Sequence, residues 1–328
     1  MGKFLENEKI RLAEFKANSD YFTDSSRIDG IYKKKPYPFC LPKNVSEENL
    51  FAEIRYQSID YFSHFGIKWH DGIGEKPSNH LCDSEVCCVN FLFPFIDKPD
   101  ALIELLRPIF PSIKTVISME CPNTFVSFEW IGQKNYLNER MKGLQKRTRG
   151  ANFTSTDAAV MFEKENGNKQ IVLIEWKYTE SYGATFLKIS KNGTDRTMIY
   201  SPLYEKEDCP IDKSLLNAFN DLFYEPFYQL MRQQLLAHEM EKVQELGASV
   251  VSLLHISPRV NLDFKKVTSK ELQSLGSSPI EIWEKLIKQS NRFYGINTET
   301  FFGQFPVSEF EELSSWWEYI TKRYLWLT

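Results

Sequence analysis

An α/β fold, with a central sheet flanked by helices, is predicted by three observations. Residues 156–176 read as two apolar strands joined by a tight turn. ASVVSLLHISP, at 248–258, reads as a further buried strand. Helix-patterned segments stand both before and after these strands, the arrangement of a layered α/β core. The 328 residues suffice for one large domain or two ordinary ones and for a substantial core. Phe, Trp and Tyr make up 14% of the chain, and most of them are expected to fill that core, because they carry the largest apolar areas.

Taken in order, residues 1–35 read as a charged helix followed by a polar loop. SEENLFAEIRYQSIDYFSHFGIKWH opens with Ser46 as a helix-start signal, and Leu50, Ile54, Ile59 and Phe62 then recur at helical spacing. A Gly/Asp-containing loop follows around 71–80. EVCCVNFLFPF reads as a short strand or buried segment, and DALIELLRPIF as a helix ending near Pro108. TVISME and TFVSFEWIG read as strands joined by a turn at Pro122–Asn123, and YLNERMKGLQKR as a helix. The strand pair comes next, turning at NGN (166–168), and then a loop-rich insert. DLFYEPFYQLMRQQLLAHEMEKVQEL reads as a long helix before the 248–258 strand. The C-terminal part reads as helical, in PIEIWEKLIKQ and SSWWEYITKRYLWL.

A net charge of −4 does not mark an overall basic nucleic-acid binder, but LNERMKGLQKRTRGANF is locally basic, with Arg140, Lys142, Lys146, Arg147 and Arg149. A solvated helix face and a phosphate contact both fit that run. The six cysteines form no CxxC pair, and the N-terminus is charged throughout, so a reducing cytoplasmic location is expected. His80, Cys82, Cys87 and Cys88 are read as a histidine and buried thiols rather than zinc ligands. No apolar run is long enough to span a bilayer. No GxxxxGK[ST], GxGxxG, GxSxG or HExxH occurs, which removes the common signatures of nucleotide hydrolysis, dinucleotide binding, serine hydrolysis and zinc proteolysis.

The residues that ask for an explanation are Glu175 and Lys177, inside the apolar run IVLIEWKY. An unpaired buried charge is expensive. In a strand, residues two apart share a face, so these two point together, while Val172, Ile174 and Trp176 point the other way. The NGN turn brings Asp157 on the preceding strand toward Glu175. Two acidic oxygens and a main-chain carbonyl such as that of Trp176 suit Mg²⁺, and an adjacent ammonium suits charge developing on a phosphate. On spacing alone, a salt-bridged pair on a half-exposed strand with Asp157 as a turn cap is the commoner reading, since D-x17-E-x-K occurs often by chance. A carboxylate pair for glycoside hydrolysis is less suited, since that chemistry has no use for a lysine two residues from one acid.

RGANFTSTDAAV (149–160), LIEWKYTESY (173–182) and EPFYQLMRQQLLAHEME (225–241) together resemble a family of bacterial restriction endonucleases within the PD-(D/E)XK nuclease superfamily. The resemblance covers roughly residues 50–260. It departs from the superfamily in having Thr156 where a proline commonly precedes the aspartate. It implies a restriction-endonuclease-like core with a mixed central sheet, and helical additions at both ends. Its boundaries are a mainly helical N-terminal region (1–84), the nuclease-like core (85–260) and a helical C-terminal region (261–328). It implies a metal-dependent endonuclease acting on DNA, with Asp157, Glu175 and the Trp176 carbonyl holding Mg²⁺, or Mn²⁺ in its place. Lys177 would be the catalytic lysine. The superfamily often adds a glutamate, for which Glu139 is the first candidate and Glu129 the second. The helix after the core often adds a glutamine, here Gln229, with Gln233 one turn on. Exonuclease-like relatives carry a tyrosine four residues after that glutamine, and it is absent here. Cleavage of both strands would suit a homodimer. The alternative is a catalytically silent protein on the same fold that binds nucleic acid or a partner.

Overall fold

The computed structural model describes residues 2–139, 147–151 and 153–328. The chain starts with helix α1 (Lys3–Asn18) and a hairpin of two short strands, β1 (Gly30–Tyr32) and β2 (Lys35–Tyr37). Short 3₁₀ turns lead into α2 (Arg55–Phe65), which therefore starts nine residues after Ser46. Then follow α3 (Ser84–Leu92), α4 (Pro99–Leu106), β3 (Ile113–Ile117), β4 (Val126–Trp130), β5 (Thr156–Lys164), β6 (Lys169–Trp176), α5 (Thr197–Tyr204) and α6 (Phe227–Lys242). The chain closes with β7 (Val250–Ser257), α7 (Pro279–Leu286), β8 (Phe293–Asn297), α8 (Thr298–Gly303) and α9 (Ser314–Arg323).

The central sheet is mixed and runs β3–β5–β6–β7–β8, with β4 also paired to β5. Strand β5 runs antiparallel to β6, and the turn between them closes on Gly167 at φ 81°. β6, β7 and β8 run parallel. The long connection from β6 to β7 includes α6, as a parallel crossover requires. Strands β3 and β4 do not pair as a hairpin. Both lie against β5, β4 on residues 156–160 and β3 on residues 161–164.

Consecutive side chains of the inner strands enter different cores, so these strands are apolar on both faces. Val172, Ile174, Trp176, Leu254 and Ile256 pack with α3, α4, α8 and α9. Ile171, Leu173, Val251 and Leu253 pack with α5, α6 and α7. Helices thus cover both faces of the sheet.

Other segments also differ from expectation. Residues 84–92 are a helix, not a strand. The apolar run VCCV is buried all round, which periodicity alone cannot assign, and the deciding feature is Asp83, whose side chain accepts the Val86 N–H at 2.9 Å as an N-cap. The C-terminal region is not wholly helical, since β8 extends the sheet there. The helix expected at 136–147 falls mainly on residues outside those described.

Candidate active site

The register across the sheet lines up the charged residues. Ala158 pairs with Ile174, so Asp157 stands level with Glu175. Glu175 pairs with His255 on β7. On the other side Phe128 pairs with Ala158 and Trp130 with Thr156, which sets Glu129 level with Asp157. One row of the sheet, at the carboxyl end of β6, therefore carries Glu129, Asp157, Glu175 and His255. Glu129 sits at φ 49°, a left-handed value uncommon for a residue with a side chain. It interrupts the β4–β5 ladder at this row, and such strain concentrates at functional sites.

Glu175 and Lys177 are 1% and 5% exposed, so the apolar strand does bury them. They are ion-paired through Lys177 Nζ and Glu175 Oε1. Helix α6 supplies the remaining partners. Gln229 Oε1 accepts from Lys177 Nζ at 2.7 Å. Gln233 Nε2 donates to Glu175 Oε2 and, at 2.9 Å, to the carbonyl of Ser155. The two glutamines, one helical turn apart, thus hold the acid and the base of the pair separately. Asp157, half-buried, accepts the main-chain N–H of Trp176 at 2.6 Å, which ties the start of β5 to the end of β6. Glu180 Oε2 accepts the N–H of Tyr178 at 2.6 Å, just past the strand.

The electrostatics follow from crowding. Burial and then the charge of Glu175 raise the Asp157 carboxyl well above the carboxylate range. Burial pushes Glu129 up to about 7, with Glu175 adding to the rise and the Ser155 hydroxyl, 2.6 Å from Oε2, opposing it. Burial works against the Lys177 ammonium, but Glu175, Tyr182, Glu180 and Asp157 outweigh it and raise its pKa overall.

A further acid reaches the group from the opposite layer. Glu85, in the first turn of α3, is buried and raised by burial and by the charges of Glu129 and Asp83. Its Oε2 accepts the N–H of His70 at 2.8 Å, while Oε1 has no hydrogen-bond partner among the described residues. The sequence held a signal for Glu85. Asp83-Ser84-Glu85 before an apolar run is a helix start with acids in its first turn.

Glu139 stands elsewhere. It accepts from the N–H and hydroxyl of Thr154, at 2.8 and 2.6 Å, and from the Tyr200 hydroxyl at 3.0 Å. Asn135 holds its main chain on both sides. None of these contacts is to Asp157, Glu175 or Lys177. Arg147 and Arg149 are committed inward. Arg147 donates to the carbonyls of Ile131 and Gly132 at 2.8 and 2.6 Å. Arg149 donates to the carbonyls of Phe128 and Glu129 and is ion-paired with Glu120. Both clamp the end of β4 into the bend that carries Glu129. The rest of the basic run, Arg140, Lys142 and Lys146, lies outside the described residues. His255 is buried, its ring stacked 5.1 Å from that of Phe264. The cysteines are all free thiols.

Among the described residues no three His, Cys, Asp or Glu side chains are grouped closely enough, as they stand, to hold one ion. The donor set at the row is instead two carboxylates and the main chain. It fits a divalent cation on charge grounds. Glu85, Glu129, Asp157 and Glu175 act on one another as like charges, and among the described residues the buried oxygens Glu85 Oε1 and Gln233 Oε1 have no hydrogen-bond partner.

No helix among the described residues is long and apolar enough to cross a membrane. No curated protein and no solved structure matches the chain significantly. A protein-family model described as REase-ARP, restriction endonuclease associating with ARP, matches residues 13–325. The mixed sheet flanked by helices is consistent with a restriction-endonuclease-like core. That match takes in the charged row, the helix above it and nearly all of the chain, which thus belongs to the REase-ARP family of restriction endonucleases.

Proposed function

We propose that this chain is a metal-dependent endonuclease of the PD-(D/E)XK type that hydrolyses DNA phosphodiester bonds, in a restriction or defence role. The observation that carries the reading is the buried Glu175–Lys177 pair, level with Asp157 and held at both ends by glutamines of one helix. A pair needed only for stability gains little from burial, because desolvation cancels most of its attraction.

Asp157, Glu175 and the Trp176 carbonyl are the oxygens that would hold Mg²⁺ or Mn²⁺, and the bound ion would polarise a phosphate oxygen and acidify a water. The Trp176 N–H fixes the Asp157 carboxylate at one oxygen and leaves the other available. Lys177 Nζ, restrained by Glu175 and Gln229, positions the attacking water or stabilises negative charge growing on the phosphate. Glu129 takes the additional acid's place that Glu139 was expected to fill, because it stands in the same row. Glu85 adds a further buried acid from α3. The family's description also names association with ARP, and this reading extends that association to the chain.

Incubation of supercoiled plasmid with wild type and Asp157→Asn, in Mg²⁺, Mn²⁺ or EDTA, tests the proposal. Wild type is expected to nick or linearise the plasmid only with a divalent ion, and Asp157→Asn to be slower by at least about 10²-fold, the scale of losing a group that serves the transition state. Equal cutting in EDTA, or an equally active Asp157→Asn, contradicts it.

A further inference from the structure

The hairpin β1–β2 is built around an unusual turn. Gly30 pairs with Tyr37, Ile31 with Pro36 and Tyr32 with Lys35, which leaves Lys33 and Lys34 as a two-residue loop. Both have positive φ, 46° and 69°. A turn with two left-handed central residues ordinarily takes Asn-Gly, since glycine and asparagine reach that region most easily. Here two lysines occupy it and a third follows. All three are exposed, and among the described residues none is in an ion pair. Lys33 Nζ lies 4.8 Å from the centre of the Tyr32 ring and feels the charge of Asp71, and the three lysines form a locally positive tip on a chain whose net charge is −4.

The base of the hairpin is fastened firmly. The Gly30 N–H donates to the Cys40 carbonyl at 3.0 Å, and a Cβ at Gly30 would fall 1.9 Å from the Leu41 carbonyl oxygen, so only glycine fits. Lys16 Nζ donates to the carbonyls of Ile28 and Cys40, both at 2.9 Å. The hairpin also joins the candidate site. The Tyr32 hydroxyl donates to Asp71 at 2.7 Å, and the preceding residue, His70, gives its N–H to Glu85. The lysine tip and the acidic pocket are thus linked through one short loop.

We propose that this hairpin is a contact for the phosphate backbone of double-stranded DNA, flanking the bond to be cut. The inference rests on the reading of the site as a DNA nuclease. Charge complementarity and continuity with the site commit it to duplex DNA. A two-residue turn fixes the backbone positions from which the lysine side chains reach toward phosphates. The lysines carry no sequence information, because contacts to phosphates position the protein without reading bases.

The test is a variant with Lys33→Asn, Lys34→Gly and Lys35→Gln. It removes three charges while giving the turn the residues its backbone prefers, so the hairpin stays folded. Binding of a fluorescently labelled duplex is followed by anisotropy in EDTA, where no cleavage occurs, between about 50 and 200 mM salt. Each ammonium withdrawn from a phosphate makes the slope of log affinity against log salt shallower by about 0.9. The variant is expected to show a slope shallower by about 2 to 3, with weaker binding, and a melting temperature no lower than wild type. A folded variant with wild-type affinity and slope overturns the proposal, and the lysines then serve only to keep an exposed strand pair from joining other chains. A wild type that binds no duplex overturns the site reading together with it. A wild type that binds and cuts beside an unaltered variant overturns the hairpin's role alone.

Discussion

At the scale of single residues, the two candidate acids separate cleanly. Glu129→Gln is expected to lose cleavage. Glu139→Gln is expected to keep most activity and to be less stable by roughly 1–2 kcal/mol, because it weakens charge-assisted bonds from Thr154 and Tyr200. Plasmid cleavage and thermal melting of the two variants distinguish these effects. Glu129 also sets a pH dependence. Its folded value of about 7 lies above the ordinary 4.5, so the folded state holds this proton more tightly than the unfolded chain does. The stability this contributes is complete below about 4.5 and lost as pH rises through about 7, on the order of 1–3 kcal/mol. Melting in EDTA at pH 5 and pH 8 should show that loss in wild type and a smaller one in Glu129→Gln. Asp157, Glu175 and Lys177 were legible in the sequence because charges in an apolar strand demand a reason. Glu129 ranked behind Glu139 because its position depends on a left-handed residue and two arginine clamps, which no local pattern encodes.

Among the elements, helix α6 and helix α3 bring the outer groups to the row from opposite faces of the sheet. Helix α6 lies within the longer helix expected at 221–246 and starts only after Pro226. Helix α3 was not legible as a helix, because a helix buried on every side loses the periodicity that identifies it. Its N-cap was the better guide. Asp83→Ala is expected to cost about 1 kcal/mol, measured by denaturant unfolding, through loss of the bond to the Val86 N–H. The β1–β2 hairpin escaped sequence reading for the converse reason. Its turn residues are lysines, not the glycine and asparagine that announce such a turn. Gly150 shows how tightly the loops around the row are set. At φ 69°, a Cβ there would lie 2.2 Å from the Lys68 carbonyl oxygen, so Gly150→Ala should destabilise the approach to β5.

Across the whole molecule, helices α1 and α9 and the segments beside them are built into the exit of β6. Tyr178, directly after Lys177, donates its hydroxyl to Glu8 of α1, and the same carboxylate oxygen accepts from Trp326 Nε1 at 3.1 Å. Arg323 of α9 is fully buried and donates to the carbonyls of Asn49 and Leu81. A fragment confined to residues 85–260 lacks these contacts and β8, and it is expected to be poorly folded by circular dichroism and proteolysis. The central claim is that the Glu175–Lys177 pair is chemical and not merely structural. It is tested most directly by Lys177→Met, which keeps the length of the side chain and removes the ammonium. Plasmid cleavage with Mg²⁺ is measured beside duplex binding in EDTA. The account expects binding near that of wild type with cleavage reduced by at least about 10²-fold. A folded Lys177→Met that cuts as fast as wild type would contradict it.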